Sequence, residues 1–157
     1  MKEDFELQAR DDALAFDYNR HFRAPLATVF AAHADPELVK KWQGPAALEM
    51  EITRWDFHDG GGYRFVHRAP DGSEFWFNGV FHKIRDNELI VQTFEFEGSP
   101  DMVQLELLMF EQFEKYTKLI GRTICPTVGV RDALVDSGIE GGMAEGYDRL
   151  AALIEPQ

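Results

Sequence analysis

Cysteine, cationic side chains and long apolar runs are all scarce in this 157-residue chain, and each scarcity closes off a class of answer. The single cysteine, Cys125, rules out an internal disulfide and fits a reducing, cytoplasmic setting. It reads as a buried apolar thiol near a strand end, since only Arg122 nearby offers the positive field that a reactive thiol needs. Lys and Arg number 16 against 28 Asp and Glu, a formal net charge of −12. That balance argues against nucleic acid and against an anionic membrane, because both bind through clustered cations. Its plain role is solubility. No run approaches the length of a membrane helix. The acidic opening Met1–Asp12 has no apolar h-region, so no secretory signal is expected.

Chemical motifs are scarce too. His21, His58 and His82 fall on different expected strands, and no pair has metal-ligand spacing with an acidic or cysteine partner. Gly60-Gly61-Gly62 lies between two strands rather than between a strand and a helix, which excludes a phosphate loop. Asp56, just before it, reads as a turn-capping carboxylate. No nucleophile elbow or Ser-His-Asp arrangement is present. No catalytic residue, metal or cofactor is therefore expected.

What the chain does have is core. Hydrophobic residues make up 45%, with thirteen Phe and three Trp, and the length suits one domain. The most informative stretch is Arg54 to Lys83, which reads as three antiparallel strands joined by two glycine-marked turns. The second turn, Ala69-Pro70-Asp71-Gly72, suits a type I turn closed by a left-handed glycine. Pairing Ala69 with Ser73 sets Arg68 opposite Glu74, Val66 opposite Trp76 and Arg64 opposite Asn78 on one face. On the other, His67 meets Phe75, Phe65 meets Phe77, and Tyr63 covers Gly79. One face is aromatic and the other amphipathic, as a half-buried sheet requires.

The remaining elements follow in order. Residues 1–15 read as a loose arm or short surface helix, and residues 16–157 as a single domain. Phe16 to Arg23 alternates as a first strand. Pro25 is placed to start one short helix, and Asp35-Pro36 supplies the N-cap and first position of another that carries Trp42. Strands are expected from Leu48 to Phe57, Glu88 to Phe96, Val103 to Phe110 and Thr117 to Cys125. One long helix, Val130 to Ile154, gathers Val135, Ile139, Met143, Tyr147, Leu150, Leu153 and Ile154 on one side. Gly138, Gly142 and Gly146 run along the edge of that arc, where they would let a sheet or ligand approach closely. The expected class is α+β in a helix-grip arrangement, a curved antiparallel sheet around the C-terminal helix.

Asp35-Pro36-Glu37-Leu38, Trp42, Gly44-Pro45, Asp56 and Gly60-Gly61 together resemble the activators of the heat-shock-protein-ninety ATPase and their bacterial homologues. Tyr63-Arg64-Phe65, Pro70-Asp71-Gly72, Gly79, Glu88-Leu89, Gly141-Gly142-Met143, Gly146, Leu150 and Leu153 continue the match. That family lies in the START-like (SRPBCC) superfamily. The resemblance implies a seven-stranded sheet gripping the last helix, with an apolar cavity between them. Lys83 stands where the family commonly has Glu, His33 where an aromatic is usual, and the turn near residues 111–116 lacks Asp-Gly.

The functional expectation is a binding site for a small hydrophobic or aromatic molecule. Its lining should come from Tyr63, Phe65, His67, Phe75, Phe77 and Phe81 on the sheet and from Met143 and Tyr147 on the helix, with Trp42 near one mouth. No paired Arg or Lys is expected inside, so the expected ligand is uncharged. His67 reads first as a hydrogen-bonded core histidine, with ligand contact or acid/base work as alternatives. His33 reads as filling an aromatic's place. Two other classes stay open. One is co-chaperone-like binding to a chaperone, by analogy alone. The other is a polyketide-cyclase-like enzyme with His67 or Tyr63 as proton donor.

Overall fold

The computed structural model describes residues 5–156 and shows one eight-stranded antiparallel sheet with four helices. In chain order come β1 (Phe5–Ala9), β2 (Ala15–Phe22), α1 (Leu26–Ala34), α2 (Pro36–Trp42), β3 (Glu49–Trp55), β4 (Gly62–Arg68) and β5 (Glu74–Arg85). They are followed by β6 (Leu89–Phe96), β7 (Gln104–Gln112), β8 (Thr117–Ile124), α3 (Val128–Asp136) and α4 (Ile139–Ile154). Across the sheet the order is β1-β2-β8-β7-β6-β5-β4-β3. Strands β3 to β8 form one meander, and the β1–β2 hairpin joins it along β8. This is the α+β helix grip that the strand and helix order predicts.

Two expectations need correction. Of the arm expected over residues 1–15, residues 1–4 lie outside the described residues, and Phe5–Ala9 is a strand paired with β2. It raises the strand count from seven to eight. Its inward side chains, Phe5 and Leu7, join the core, and its pairing with β2 supplies the backbone partners that a charged segment would not find alone. The long terminal helix is two helices. Gly138 takes φ +86°, a left-handed conformation open to glycine, and α3 ends two residues before it, at Asp136.

The meander register holds as read. Tyr63 faces Gly79, Phe65 faces Phe77, His67 faces Phe75 and Arg68 faces Glu74. Gly72 has φ +91°, and the Ala69 amide donates to Ser73 O at 2.9 Å, so the turn chemistry fixes the pairing. On the outer face Arg68 bridges Glu51 and Glu74, while Arg64 pairs with Glu97 and lies 4.1 Å from the Trp76 ring centroid. Val66, although it lies between those groups, is buried.

The short helices are pinned by tryptophans. Asp35 caps α2 by accepting from the Glu37 amide at 2.9 Å. The carbonyls of Ala32 and Ala34, in the last turn of α1, have no helical donor. The indoles of Trp42 and Trp55 donate to them at 2.9 and 2.8 Å. Pro25 serves as N-cap, with the helix proper starting at Leu26.

Of the glycines on the terminal helix, only Gly146 meets close packing. A Cβ there would lie 3.1 Å from Trp42 O and 3.8 Å from Gly44 N, so the helix approaches the α2–β3 loop rather than the sheet. Gly141 and Gly142 have open space beside them. Gly146→Leu is expected to destabilise the protein by about 1–3 kcal/mol through overpacking, against at most about 1 kcal/mol returned by helix propensity. Thermal unfolding checks this, and a variant melting at or above the wild-type temperature would refute it.

Candidate functional site

The inner face of the sheet divides into two parts. Under α1 and α4, the inner positions of β2 and β8 (Phe16, Tyr18, Phe22, Leu119 and Thr123) are buried. Tyr147 of α4 is packed among Phe5, Tyr18, Phe22 and Trp42, with ring centroids 5.3–6.3 Å apart. This part is filled core. Across β5, β6 and β7, all internal strands, the inner positions Phe77, Gln92, Phe94, Gln104 and Glu106 keep partial exposure. These inner positions, although on internal strands, are therefore less completely covered by the helices than those of β2 and β8.

The surface there can be built residue by residue. Alternation in β4, β5 and β6 turns Phe65, Phe77 and Phe94 to the same side. Phe65 stacks on Phe77 at 5.0 Å, and Phe77 meets Phe94 and Phe96 at 5.2 Å each. His67 is edge-on to Phe65 at 5.1 Å and to Phe77 at 5.5 Å. Further along the sheet the surface turns polar. Gln92 Nε2 donates to Glu106 Oε1 at 2.9 Å across the β6–β7 pair. Desolvation pushes the Glu106 carboxyl above its ordinary range, although the Gln92 hydrogen bond opposes this. Met143 and Ile139 of α4, with Val135 of α3, are half-buried against the same core.

The nine residues expected to line a pocket are thus distributed. Phe65, His67 and Phe77 come together as one wall. Phe75 lies at the end of that wall beside Phe96 and is 37% exposed. Met143 approaches from the helix side. Tyr63 and Phe81 sit deeper, in a cluster with Trp55, and the Tyr63 hydroxyl is used by Thr93 O at 2.5 Å. Trp42 and Tyr147 stack on each other in the filled core, so Trp42 stands at no mouth. His33 takes an aromatic's place, packing at 5.0 Å from Trp42 and 5.1 Å from Phe110.

Three polar groups escape the sequence reading. Gln92 and Glu106 occupy inward positions in otherwise apolar alternations, and that breach of pattern was the available signal. Arg149 continues the Gly142, Gly146 edge of α4, and its Nε and Nη2 are buried without a hydrogen-bond partner. His67 differs from the hydrogen-bonded histidine expected. It is 6% exposed, and its Nδ1 is buried with no partner among the described residues. Desolvation, helped by the nearby Arg149 charge, pulls its pKa down to about 4, so the ring is neutral at pH 7. Its other edge lies against Gly44, where a Cβ would stand 2.7 Å from Nε2.

Elsewhere, Asp56 pairs with Arg54 at 2.7 Å, and it is Asp59 that braces the β5 bulge by accepting from the Ile84 amide. Lys83 joins Asp59 at 3.1 Å. Cys125 is buried, and desolvation raises its pKa. Among the described residues, no three His, Cys, Asp or Glu side chains cluster as metal ligands. No helix there is long and apolar enough to cross a membrane.

Solved structures share this architecture. A Rhodobacter sphaeroides protein is 24% identical, with a TM-score of 0.86 over 94% of this chain and 97% of its own. A Mycobacterium smegmatis protein is 18% identical, with a TM-score of 0.86 over 97% of each chain. CalU16 from Micromonospora echinospora is 19% identical, with a TM-score of 0.64 over 97% of this chain and 84% of that one. At these identities the likeness concerns the fold. No match was found among curated proteins. The family model for activator of Hsp90 ATPase homolog 1-like protein matches residues 23–155, from the end of β2 through the last turn of α4. With that span matched and the helix grip in place, the chain belongs to the activator of Hsp90 ATPase homolog 1-like family, within the START-like fold.

Proposed function

We infer that the protein binds a small apolar, ring-bearing molecule between α4 and the β4–β7 part of the sheet. The observation that carries this is the partial exposure of Phe77, Gln92, Phe94 and Glu106 on internal strands. The faces of Phe77 and Phe94 suit an aromatic or polycyclic body. Gln92 and Glu106 suit one or two ligand oxygens at its far end, since each polar group must find a partner when desolvated.

The test is titration with Nile red, a neutral environment-sensitive dye, and competition by flavonoid- or polyketide-like compounds. Saturable binding is expected in wild type, with loss in Met143→Trp at unchanged melting temperature. Absence of binding would leave an interaction role of the kind the family name indicates. For that role the relevant surface is the free edge of β3. It borders a cleft of about 300 Å³ lined by Pro36, Lys40, Met50, Ile52 and Trp55, where an extended segment could add as a strand.

A further inference from the structure

Among the described residues nine arginines pair with carboxylates, and three show a shared habit. Arg10, Arg64 and Arg122 each present the Nε and Nη2 edge to one acidic side chain: Asp12, Glu97 and Asp17 respectively. Those two atoms form the planar fork that matches a carboxylate. In Arg149 the same two atoms are buried and meet no acceptor among the described residues. The acids nearest to it along α4 are committed elsewhere. Glu145, four residues earlier, accepts from the Ala46 amide at 2.7 Å, and Asp148 pairs with the buried Arg20 at 2.5 Å. A shielded guanidinium edge without an acceptor is costly.

Close to Arg149 lies a second group in the same condition. His67 Nδ1 is buried without a partner, and the Arg149 charge acts on that ring. The imidazole is neutral at pH 7, so Nδ1 can carry its proton and donate. The same ring stands edge-on to Phe65 and Phe77, at the head of the aromatic wall. Two unpartnered donors, one of them permanently cationic, thus lie near enough to influence each other electrostatically, with His67 at one end of an apolar surface.

We propose that Arg149 and His67 are the anchor for a ligand carboxylate, so that the ligand is an apolar carboxylic acid whose ring system lies along Phe65, Phe77 and Phe94. The guanidinium fork takes both carboxylate oxygens, and His67 Nδ1–H donates to one of them. Glu106 lies further along the sheet and suits a neutral hydroxyl or carbonyl on the far end, because a second acid there would meet its carboxyl. This replaces the uncharged ligand expected from sequence, and it rests on the cavity reading given above.

The experiment displaces Nile red from the wild-type protein with 2-naphthoate and with 2-naphthamide, two probes of matched shape that differ in charge. Naphthoate is expected to bind at least about tenfold more tightly at pH 7, in keeping with a charge-assisted bidentate contact. In Arg149→Met that ratio is expected to fall to about one, and in Arg149→Lys, which keeps the charge and loses the fork, to an intermediate value. Equal affinity for the two probes in wild type overturns the anchor while leaving the cavity standing, and so does a preference that survives Arg149→Met. Failure of Nile red and both probes to bind wild type overturns the cavity reading and the anchor together. The wild-type ratio decides the matter even where a variant does not fold.

Discussion

Gly121→Ala is expected to cost about 3 kcal/mol, the upper part of the overpacking range, although it adds one methyl group to an internal strand. Gly121 sits in β8 between Tyr18 of β2 and Leu108 of β7. A Cβ at this position would run into the Tyr18 ring and stand 2.6 Å from its hydroxyl oxygen. The ring has nowhere to go. Tyr18 is 2% exposed and is enclosed by Phe5, Phe16 and Tyr147 at 5.9–6.4 Å. Strand propensity alone would favour alanine over glycine, so the sign of the effect separates packing from propensity. Urea unfolding of the single variants and of Tyr18→Ala/Gly121→Ala supplies the check. In the Tyr18→Ala background the added methyl should cost less than about 1 kcal/mol, a strong positive coupling. Additive costs would show that Gly121 is kept for another reason.

Acid should weaken the fold well before its exposed carboxylates are protonated. His33 and His67 are both held neutral, with pKa values pulled down to about 4, in each case first by desolvation. His33 Nδ1 donates to Val29 O at 2.8 Å, which leaves a bare Nε2 buried among rings, where a proton would find no acceptor. In the unfolded chain both residues titrate near their ordinary 6.5. The unfolded state therefore binds more protons below that pH, and stability falls as pH falls. It is complete above about pH 6.5, has lost about 2 kcal/mol per histidine by pH 5, and stops falling on this account below about pH 4. Urea midpoints at pH 7, 6, 5 and 4 read this directly. In His33→Phe the slope should be shallower, and the variant should overtake wild type on the acid side. A wild-type midpoint unchanged from pH 7 to pH 5 would contradict the buried neutral imidazoles.

The parts of the fold that could be read in sequence are those where two local signals agree. Between β4 and β5 the Pro70-Asp71-Gly72 turn and the aromatic alternation demand the same register, and the structure has it. β1 was hidden because only Phe5 and Leu7 alternate, within a run of charged residues, and β2 pairing rather than local propensity makes it a strand. The α3–α4 break was masked by its own periodicity. Val135 and Ile139 are four apart, so the apolar arc appears continuous across Gly138.

The candidate site was legible to the same degree. Phe65, Phe77 and His67 follow from strand alternation once the register is set. Whether an aromatic lines a space or fills one depends on what packs over it from distant elements, and that separates Phe77 from Tyr147. Arg149 was concealed by Glu145, which stands at the spacing of an ordinary surface ion pair. The Ala46 amide, a hundred positions away in the chain but adjacent in space, takes that carboxylate instead. Long-range competition of this kind leaves no local trace.

The joining of β2 to β8 also has a consequence in time. β2 leaves the ribosome well before β8, and one of its edges can be satisfied at once by the β1 hairpin. Its other edge must wait for Thr117–Ile124, roughly a hundred residues later, which at common elongation rates is about 5–20 s. Throughout that interval Phe16, Tyr18 and Phe22 are made but have neither β8 beside them nor α4 above them. The meander β3 to β8 can assemble neighbour by neighbour, whereas this one seam closes only after β8 has been made. The nascent chain therefore carries an unpaired aromatic strand until β8 has been made, and that strand is where misassembly or capture by a holding chaperone would begin.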